Sequence, residues 1–145
     1  MREIREIGLE SVDQLVGLAA NAYPGRNFFS EQARQALKER FATSMKEDEM
    51  CRHYGMFSGK KMIGGMKFFD FDMTLLSVPV KAGGLGLVCV DLLRKKEKVA
   101  KDMLQYYLHH YRDRGVHLAI LYPFRVDFYR QMGFGAGTKM NQYRF

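Results

Sequence analysis

The stretch LVCVDLLRKKEKVAK, residues 87–101, decides how the rest of the chain is interpreted. Its first part is an apolar run of strand composition, its middle is a short basic turn, and its last part begins a helix. The free backbone N–H groups and the partial positive charge of a helix N-terminus bind phosphate readily. Five basic side chains crowd the same turn: Arg94, Lys95, Lys96, Lys98 and Lys101. The stretch therefore predicts a site for a polyphosphorylated ligand, with a solvated helix start as the alternative.

Apolar spacing predicts further elements on both sides of this stretch. Those on its N-terminal side are a strand at 4–7, a helix at 12–22 ended by Pro24-Gly25, a helix capped by Ser30, a hairpin of strands at 52–58 and 62–72, and an edge strand at 77–81. Those on its C-terminal side are a helix at 98–112, a strand at 118–122, a short helix at 126–132 and a last strand at 142–145. This order predicts an α+β chain with a central, mixed but mostly antiparallel sheet flanked by helices. Within it, residues 87–122 are the candidate for a right-handed parallel crossover.

Composition narrows the class of protein. With 145 residues, of which 47% are hydrophobic and 27% charged, the chain is long enough to bury a core as a single domain over 1–145. It has no apolar run near the ~20 residues that span a membrane and no secretory signal, which predicts a cytoplasmic protein. Its two cysteines and four histidines show no metal-ligand spacing, so no metal site is predicted. The net charge of +7 favours an anionic partner, such as nucleic acid, anionic lipid or a phosphorylated cofactor.

Three segments resemble the acetyl-CoA-dependent N-acetyltransferases of the GNAT superfamily. Residues 86–90 (GLVCV) are similar to the fourth strand of that fold. Residues 95–100 (KKEKVA) stand where the family has the pattern Arg/Gln-x-x-Gly-x-Gly/Ala, and residues 128–134 (FYRQMGF) resemble its closing helix. More narrowly, residues 83–88 (GGLGLV) and 121–129 (LYPFRVDFY) look like the N-terminal catalytic domain of the enhanced-intracellular-survival type, which acetylates aminoglycosides and polyamines. On that resemblance the chain is one acetyltransferase domain, with membership of a longer protein left open.

The resemblance implies a role for each of these segments. The backbone of Val88, Cys89 and Val90 would pair with the pantetheine arm of acetyl-CoA. The phosphates would be held by the basic turn and the start of the helix, that is by Lys95, Lys96, Lys98, Val99, Ala100 and Lys101. Tyr129 would protonate the departing thiolate, since a neutral tyrosine with an ordinary pKa near 10 can donate at neutral pH.

The basic turn departs from the family pattern at two positions. Lys98 stands where the loop has a glycine, and Lys95 stands where it has an arginine. Glycine allows a ligand to approach the backbone closely. A side chain at Lys98 is tolerable if this residue is already helical, and its ammonium group can then contact a phosphate. The alternative is that the side chain blocks the loop.

The acceptor expected from the resemblance is a primary amine on a small polycation or a lysine. The base is not assigned: in the enhanced-intracellular-survival type it is the C-terminal carboxylate of a downstream domain, so the role is not transferred to Phe145. Carboxylate candidates are Glu47, Asp48, Glu49, Asp70 and Asp72. Asp70 and Asp72 share one face of a strand, which we interpret as its solvated side, with an acceptor-binding face as the alternative. The aromatic residues Phe28, Phe29, Phe68, Phe69 and Phe71 are interpreted mostly as core, with an acceptor pocket as the other option.

Two other functions fit the same sequence. One is a domain that binds acetyl-CoA but is catalytically incomplete. The other is a basic nucleic-acid-binding module, which is weaker because the basic residues cluster at one turn rather than along a helix face with interleaved aromatics. Cys89, inside an apolar strand, is interpreted as a small core residue and not as a nucleophile. The partner predicted is therefore a small-molecule amine, without a membrane, and a homo-oligomer is left open.

Overall fold

The computed structural model of the protein describes residues 1–23 and 30–137, and its elements follow the predicted order. They are β1 (Arg2–Glu6), α1 (Val12–Ala22), α2 (Glu31–Glu47), β2 (Cys51–Ser58), β3 (Lys61–Leu75), β4 (Val78–Val90), α3 (Val99–Arg112), β5 (Leu118–Leu121) and α4 (Val126–Gln131). Short 3-10 turns precede α1 and α3, at Leu9–Ser11 and Leu92–Glu97. The predicted helix end at Pro24-Gly25, the residues Phe28 and Phe29, and the predicted last strand at 142–145 lie outside the described residues.

The strands form one sheet in the order β1-β2-β3-β4-β5. All neighbours are antiparallel except β4 and β5, which are parallel and joined through α3. The mixed, mostly antiparallel sheet flanked by helices is therefore confirmed. β5 pairs with residues 82–85 of β4, so the parallel crossover begins earlier in the chain than the predicted segment 87–122.

The predicted edge strand at 77–81 is wrong as a separate element. It is the first part of β4, which pairs with β3 from Val78 opposite Leu75 to Val90 opposite Gly64. The strand continues through the glycines that precede residue 87. These glycines are needed because aromatic rings pack directly against the backbone there. A Cβ at Gly83 would collide with the ring of Tyr111, and one at Gly84 would collide with Phe71.

Each face of the sheet is covered by helices with an apolar stripe. On one face α3 buries Met103, Leu104 and Tyr107 against β2, β3 and β4. On the other face α1 and α2 bury a second cluster, in which Leu15 and Phe41 take part. Ser30 caps α2 as predicted, since its hydroxyl accepts a hydrogen bond from the Ala33 N–H at 3.1 Å. Among the described residues, no helix combines the length and apolar character that crossing a membrane requires.

Candidate active site

The parallel strands β4 and β5 part from each other beyond Leu85. Their pairing ends at Leu85 opposite Leu121. Just beyond this point Leu87 has a positive φ of 50°, and the register between β3 and β4 shifts. The second half of β4 therefore turns away from β5, and the gap leaves strand backbone available to a ligand. In this half the Val88 carbonyl accepts a hydrogen bond of 3.0 Å from the Tyr23 hydroxyl.

A cavity of about 400 Å³ lies at this opening. It is bounded by the C-terminal part of α1, by α2, by the facing parts of β3 and β4, by the segment after β5 and by α4. Val88 and Tyr129 both line it, so two of the residues predicted from sequence meet there although they are far apart in the chain. The basic turn does not line this cavity. It follows the C-terminal end of β4, whereas the cavity is lined by β4 residues up to Val88.

Tyr129 packs against three aromatic rings and also lines the cavity. It lies on α4, is 4% exposed, and packs edge-on against Phe124, Phe128 and Phe134. No hydrogen bond joins its hydroxyl to another described residue. Burial, helped by the nearby Tyr23, raises the pKa of Tyr129 to about 12. At neutral pH the side chain is therefore a protonated phenol in the wall of the cavity.

The three predicted strand residues divide between the two faces of the sheet. Val88 lines the cavity, and Val90 packs against the cluster formed with α3. Cys89 is buried on the opposite face, where its thiol lies 3.5 Å from the Gly65 carbonyl oxygen. Burial raises the pKa of Cys89 to about 12, so it is a neutral core residue and not a nucleophile.

Lys98 has a backbone conformation that sequence reasoning did not anticipate. With φ 58° and ψ 21° it is left-handed and precedes the first residue of α3, Val99. A side chain at Lys98 was expected to fit if this residue were already helical. Lys98 instead lies before the helix, so this expectation is not met. The chain places a lysine where the backbone geometry favours glycine, and the lysine side chain is exposed.

The other residues of the basic turn have different surroundings. Lys96 and Lys101 are exposed, Ala100 is half-buried, and Val99 is buried in the core, so that only its backbone can reach a ligand. The backbone of Lys95 lies in the 3-10 turn. Arg94 is already paired, because the Glu97 carboxylate bonds it at 3.1 Å and also binds Arg2. The basic side chains exposed for a phosphate in the described part of the turn are thus Lys96, Lys98 and Lys101.

Two further cations line the cavity at the end away from this turn. Lys67 on β3 is partly buried, donates to the Ser44 hydroxyl at 3.4 Å, and lies 5.2 Å above the Phe41 ring. Arg40 comes from the exposed side of α2. Burial, and then the charge of Arg40, lower the pKa of Lys67, while Cys51 and Asp48 act in the opposite direction.

His53 lies opposite Lys67 in the β2–β3 pairing and is 1% exposed. Neither of its ring nitrogens has a hydrogen-bond partner among the described residues. Burial first, and then the charge of Lys67, lower the pKa of His53 to about 4. His53 is therefore a neutral, buried imidazole that does not line the cavity.

The carboxylates considered as bases lie elsewhere. Asp72 pairs with Lys81 at 2.5 Å on the solvated side of the β3–β4 hairpin, and Asp70 lies beside Tyr111. Glu47, Asp48 and Glu49 are exposed at the end of α2 and after it. Phe68 is core, stacked on Tyr54, while Phe69 and Phe71 stack on each other. None of these residues lines the cavity, and no group of three metal-ligating side chains forms in the part of the chain that the structure describes.

The sequence of residues 3–137 matches the family model described as an acetyltransferase (GNAT) domain. The chain belongs to the GNAT acetyltransferase family. Among curated proteins, none matches the sequence.

Solved structures with the same fold are similar over the whole chain. A transcriptional regulator from Bacillus halodurans C-125 has a TM-score of 0.84 and 18% identity, and the match covers 100% of both chains. A GCN5-related N-acetyltransferase from Ralstonia eutropha JMP134 has a TM-score of 0.79 and 14% identity, and the match covers 99% of each chain. A predicted acetyltransferase from Clostridium acetobutylicum, solved with acetyl-CoA, has a TM-score of 0.78 and 12% identity, and the match covers 99% of this chain and 96% of that one. At these identities the similarity establishes the GNAT fold.

Sequence reasoning missed the cations at the far end of this GNAT cavity. Arg40 falls on the polar face of α2, where a basic residue is usually a solvated one. Lys67 offered a weak signal, since it interrupts the apolar run of a strand that is buried on both sides of it. Their proximity depends on how α2 packs on the sheet, which no local pattern records.

Proposed function

We propose that this GNAT domain transfers an acetyl group from acetyl-CoA directly to a primary amine. The observation that carries the proposal is the cavity at the parting of β4 and β5, which is lined both by Val88, in the part of β4 that β5 does not cover, and by Tyr129. Acetyl-CoA is the acetyl donor of the family, and the structural neighbour from Clostridium acetobutylicum was solved with it.

The free half of β4 is the proposed site for the pantetheine arm. Val88, Cys89 and Val90 have no partner in β5, while Cys89 and Val90 are in register with Gly65 and Gly64 of β3. The backbone groups that point to the edge of β4 left open by β5 suit the amides of that arm. The Val88 carbonyl already accepts from Tyr23, and its second lone pair remains for a ligand.

The basic turn is the proposed site for the phosphates. Lys95, Lys96, Lys98 and Lys101 supply positive charge there, and the first N–H groups of α3 at Val99 and Ala100 supply donors. The left-handed backbone at Lys98 supports this assignment, because the loop keeps the conformation that a glycine would give it.

Tyr129 is the proposed acid for the leaving sulfur. In the transfer a nitrogen–carbon bond forms to the acetyl group, the carbon–sulfur bond breaks, and a proton has to move from nitrogen to sulfur. Because its pKa is raised to about 12, Tyr129 does not stay ionised after it donates. Tyr129 gives one proton to the sulfur and afterwards regains one. The attacking nitrogen loses one proton, so the overall count of protons balances.

The resemblance further predicts a small polycation or a lysine as the acceptor and the enhanced-intracellular-survival subtype. The sequence also predicts a single domain over 1–145 and a cytoplasmic location. The family match bears on the acetyltransferase chemistry and leaves the acceptor open.

A second candidate is a domain that binds acetyl-CoA without transferring the acetyl group. It is favoured by one observation: among the described residues that line the cavity, none is a carboxylate or a histidine that could serve as a base.

Amine-dependent release of free CoA separates the two candidates. Acetyl-CoA and a mixed panel of primary amines are incubated with the protein, and free thiol is measured. Faster thiol release in the presence of an amine, with the acetylated amine identified by mass, supports the acetyltransferase. Tight binding of acetyl-CoA without any amine-dependent release supports the incomplete domain.

A further inference from the structure

The cavity has two ends, and the proposed function assigns one of them to the donor. The basic turn follows the C-terminal end of β4, so a donor held there reaches the cavity past Val88. The opposite end is formed where Gly86 pairs with Lys67, beside Phe41 and Arg40 of α2. If the donor thioester lies at the parting of the strands, the acceptor occupies the Lys67 end.

The charges at this end are all positive. Arg40 and Lys67 are the charged residues among the described ones that line the cavity, and neither forms an ion pair with another described residue. Asp48 influences Lys67 from beyond the end of α2 but makes no ion pair with it. The two segments that the structure does not describe, 24–29 (PGRNFF) and 138–145 (TKMNQYRF), contain no aspartate or glutamate. The side chains of those segments cannot supply a balancing carboxylate.

A cavity with these charges discriminates between amines. An ammonium group that enters next to two cations without an ion-pair partner among the described residues is repelled, and a polycation is repelled more strongly. A carboxylate on the same molecule turns this repulsion into attraction. The Arg40 guanidinium group can bind a carboxylate through two parallel hydrogen bonds, and the Lys67 ammonium group adds a second positive charge.

We propose that the acceptor is a small amine that also carries a carboxylate, such as a free amino acid, and that Arg40 and Lys67 bind that carboxylate. This inference rests on the proposed acetyltransferase function and differs from the expectation of a polycation. It also supplies an account of the missing base. Two cations close to the acceptor nitrogen disfavour its protonated form, so the amine loses its proton to solvent more readily and attacks as a neutral nucleophile.

Matched pairs of acceptors test this assignment. Each amino acid of a panel is compared with its own carboxamide, which keeps the amine and removes the carboxylate, and spermidine represents the polycations. Thiol release is followed over a range of pH, so that rates are compared per unprotonated amine. We expect kcat/KM to be at least about tenfold higher for the best amino acids than for their carboxamides, a difference of about 1.4 kcal/mol, and spermidine to be the poorer acceptor.

Variants at the two cations carry the test to the residues. Arg40→Glu lies on the exposed side of α2, where it does not disturb the core, and it should narrow or invert the preference for the amino acid over spermidine. Lys67→Met keeps the apolar stem of the side chain and should raise KM for amino acids more than it lowers kcat. Lys46→Met, an exposed lysine of α2 outside the cavity, is the matched control and should leave both constants unchanged.

Titration of acetyl-CoA without an amine separates the two claims. Failure to bind acetyl-CoA overturns the proposed function and this inference together. If acetyl-CoA binds and carboxamides or spermidine are acetylated as well as or better than the amino acids, the inference alone is wrong. If acetyl-CoA binds and no amine is acetylated, the proposed acetyltransferase function is wrong as well. An Arg40→Glu variant with an unchanged preference also overturns it.

Discussion

Tyr129 is the residue on which the proposed mechanism depends most. It is a buried phenol with a raised pKa that lines the cavity, and its hydroxyl has no hydrogen-bond partner among the described residues. Tyr129→Phe removes only the proton donor and keeps the ring in its aromatic cage. We expect kcat to fall roughly 10²-fold, the usual contribution of a general acid, with acetyl-CoA affinity nearly unchanged. Steady-state kinetics and titration calorimetry measure the two quantities.

The control for this change is Tyr106→Phe, on α3 and outside the cavity. It should leave kcat at the level of the unchanged protein. A Tyr129→Phe variant that turns over at the normal rate would remove this residue from the mechanism. The same conclusion would follow if the variant only bound acetyl-CoA more weakly and kept its kcat.

Lys98 stores backbone strain at the start of α3. A non-glycine residue in the left-handed region costs about 1–2 kcal/mol, part of which glycine would give back through its freedom in the unfolded chain. We expect Lys98→Gly to raise the free energy of unfolding by roughly 0.5–1 kcal/mol. Urea unfolding measures it. Lys101→Gly, inside the first turn of α3, is the control and should lower stability by about as much, because glycine is a poor helix former. Destabilisation by Lys98→Gly would contradict the left-handed assignment.

His53 makes stability depend on pH in a defined window. Its folded-state pKa of about 4 lies below the ordinary 6.5, so the unfolded chain binds more protons between these values. The free energy of unfolding is therefore unaffected by His53 protonation above about pH 6.5. It falls as the pH drops from 6.5 towards 4, by up to about 3 kcal/mol. Urea unfolding of the protein and of His53→Leu at pH 7 and pH 4.5 isolates this contribution. The variant should lose distinctly less stability over that interval, and an equal loss in both proteins would show that His53 is not responsible.

At the scale of the elements, the glycines of β4 allow the strand to pass close to aromatic rings. Gly83→Ala would press a methyl group into the Tyr111 ring, which is itself fixed by a hydrogen bond of 3.0 Å to the Phe69 carbonyl oxygen. We expect this variant to lose about 1–3 kcal/mol of stability, as for other overpacked cores. Gly17→Ala in α1 is the opposite case, because nothing lies within 4 Å of the added methyl group. It should gain roughly 0.5–1 kcal/mol. Thermal unfolding that ranks the two variants in the reverse order would contradict this packing.

The elements themselves could be predicted well where one physical signal dominated. The spacing of apolar residues predicted α1 to its exact bounds, and Ser30 was recognised as a cap from its residue type and position. β4 was divided wrongly because glycine ordinarily weakens a strand, and the rings that fill the space above Gly83 and Gly84 come from distant parts of the chain. The pairing of β5 with the first half of β4 was missed for a similar reason, since it follows from the irregular backbone at Leu87.

For the whole molecule, the residues of the proposed donor site could be recognised in the sequence, and those of the proposed acceptor site could not. Val88, the basic turn and Tyr129 belong to local motifs that could be recognised along the chain. Arg40 and Lys67 belong to no motif, and they meet only because α2 packs against β2 and lies over the cavity. The same packing leaves two positive charges without a carboxylate partner among the described residues, and this imbalance bears on the choice of acceptor more directly than the net charge of +7 does.

The central claim is that the opening between β4 and β5, with the basic turn beside it, binds acetyl-CoA. Isothermal titration of the protein with acetyl-CoA tests it most directly, with Lys96→Glu and Lys101→Glu as a paired charge reversal at the turn. We expect a single site of micromolar affinity that weakens about tenfold or more in the paired variant, since a phosphate contact is replaced by a repulsion. No measurable heat at millimolar acetyl-CoA, or binding that is indifferent to the charge reversal, would contradict this account.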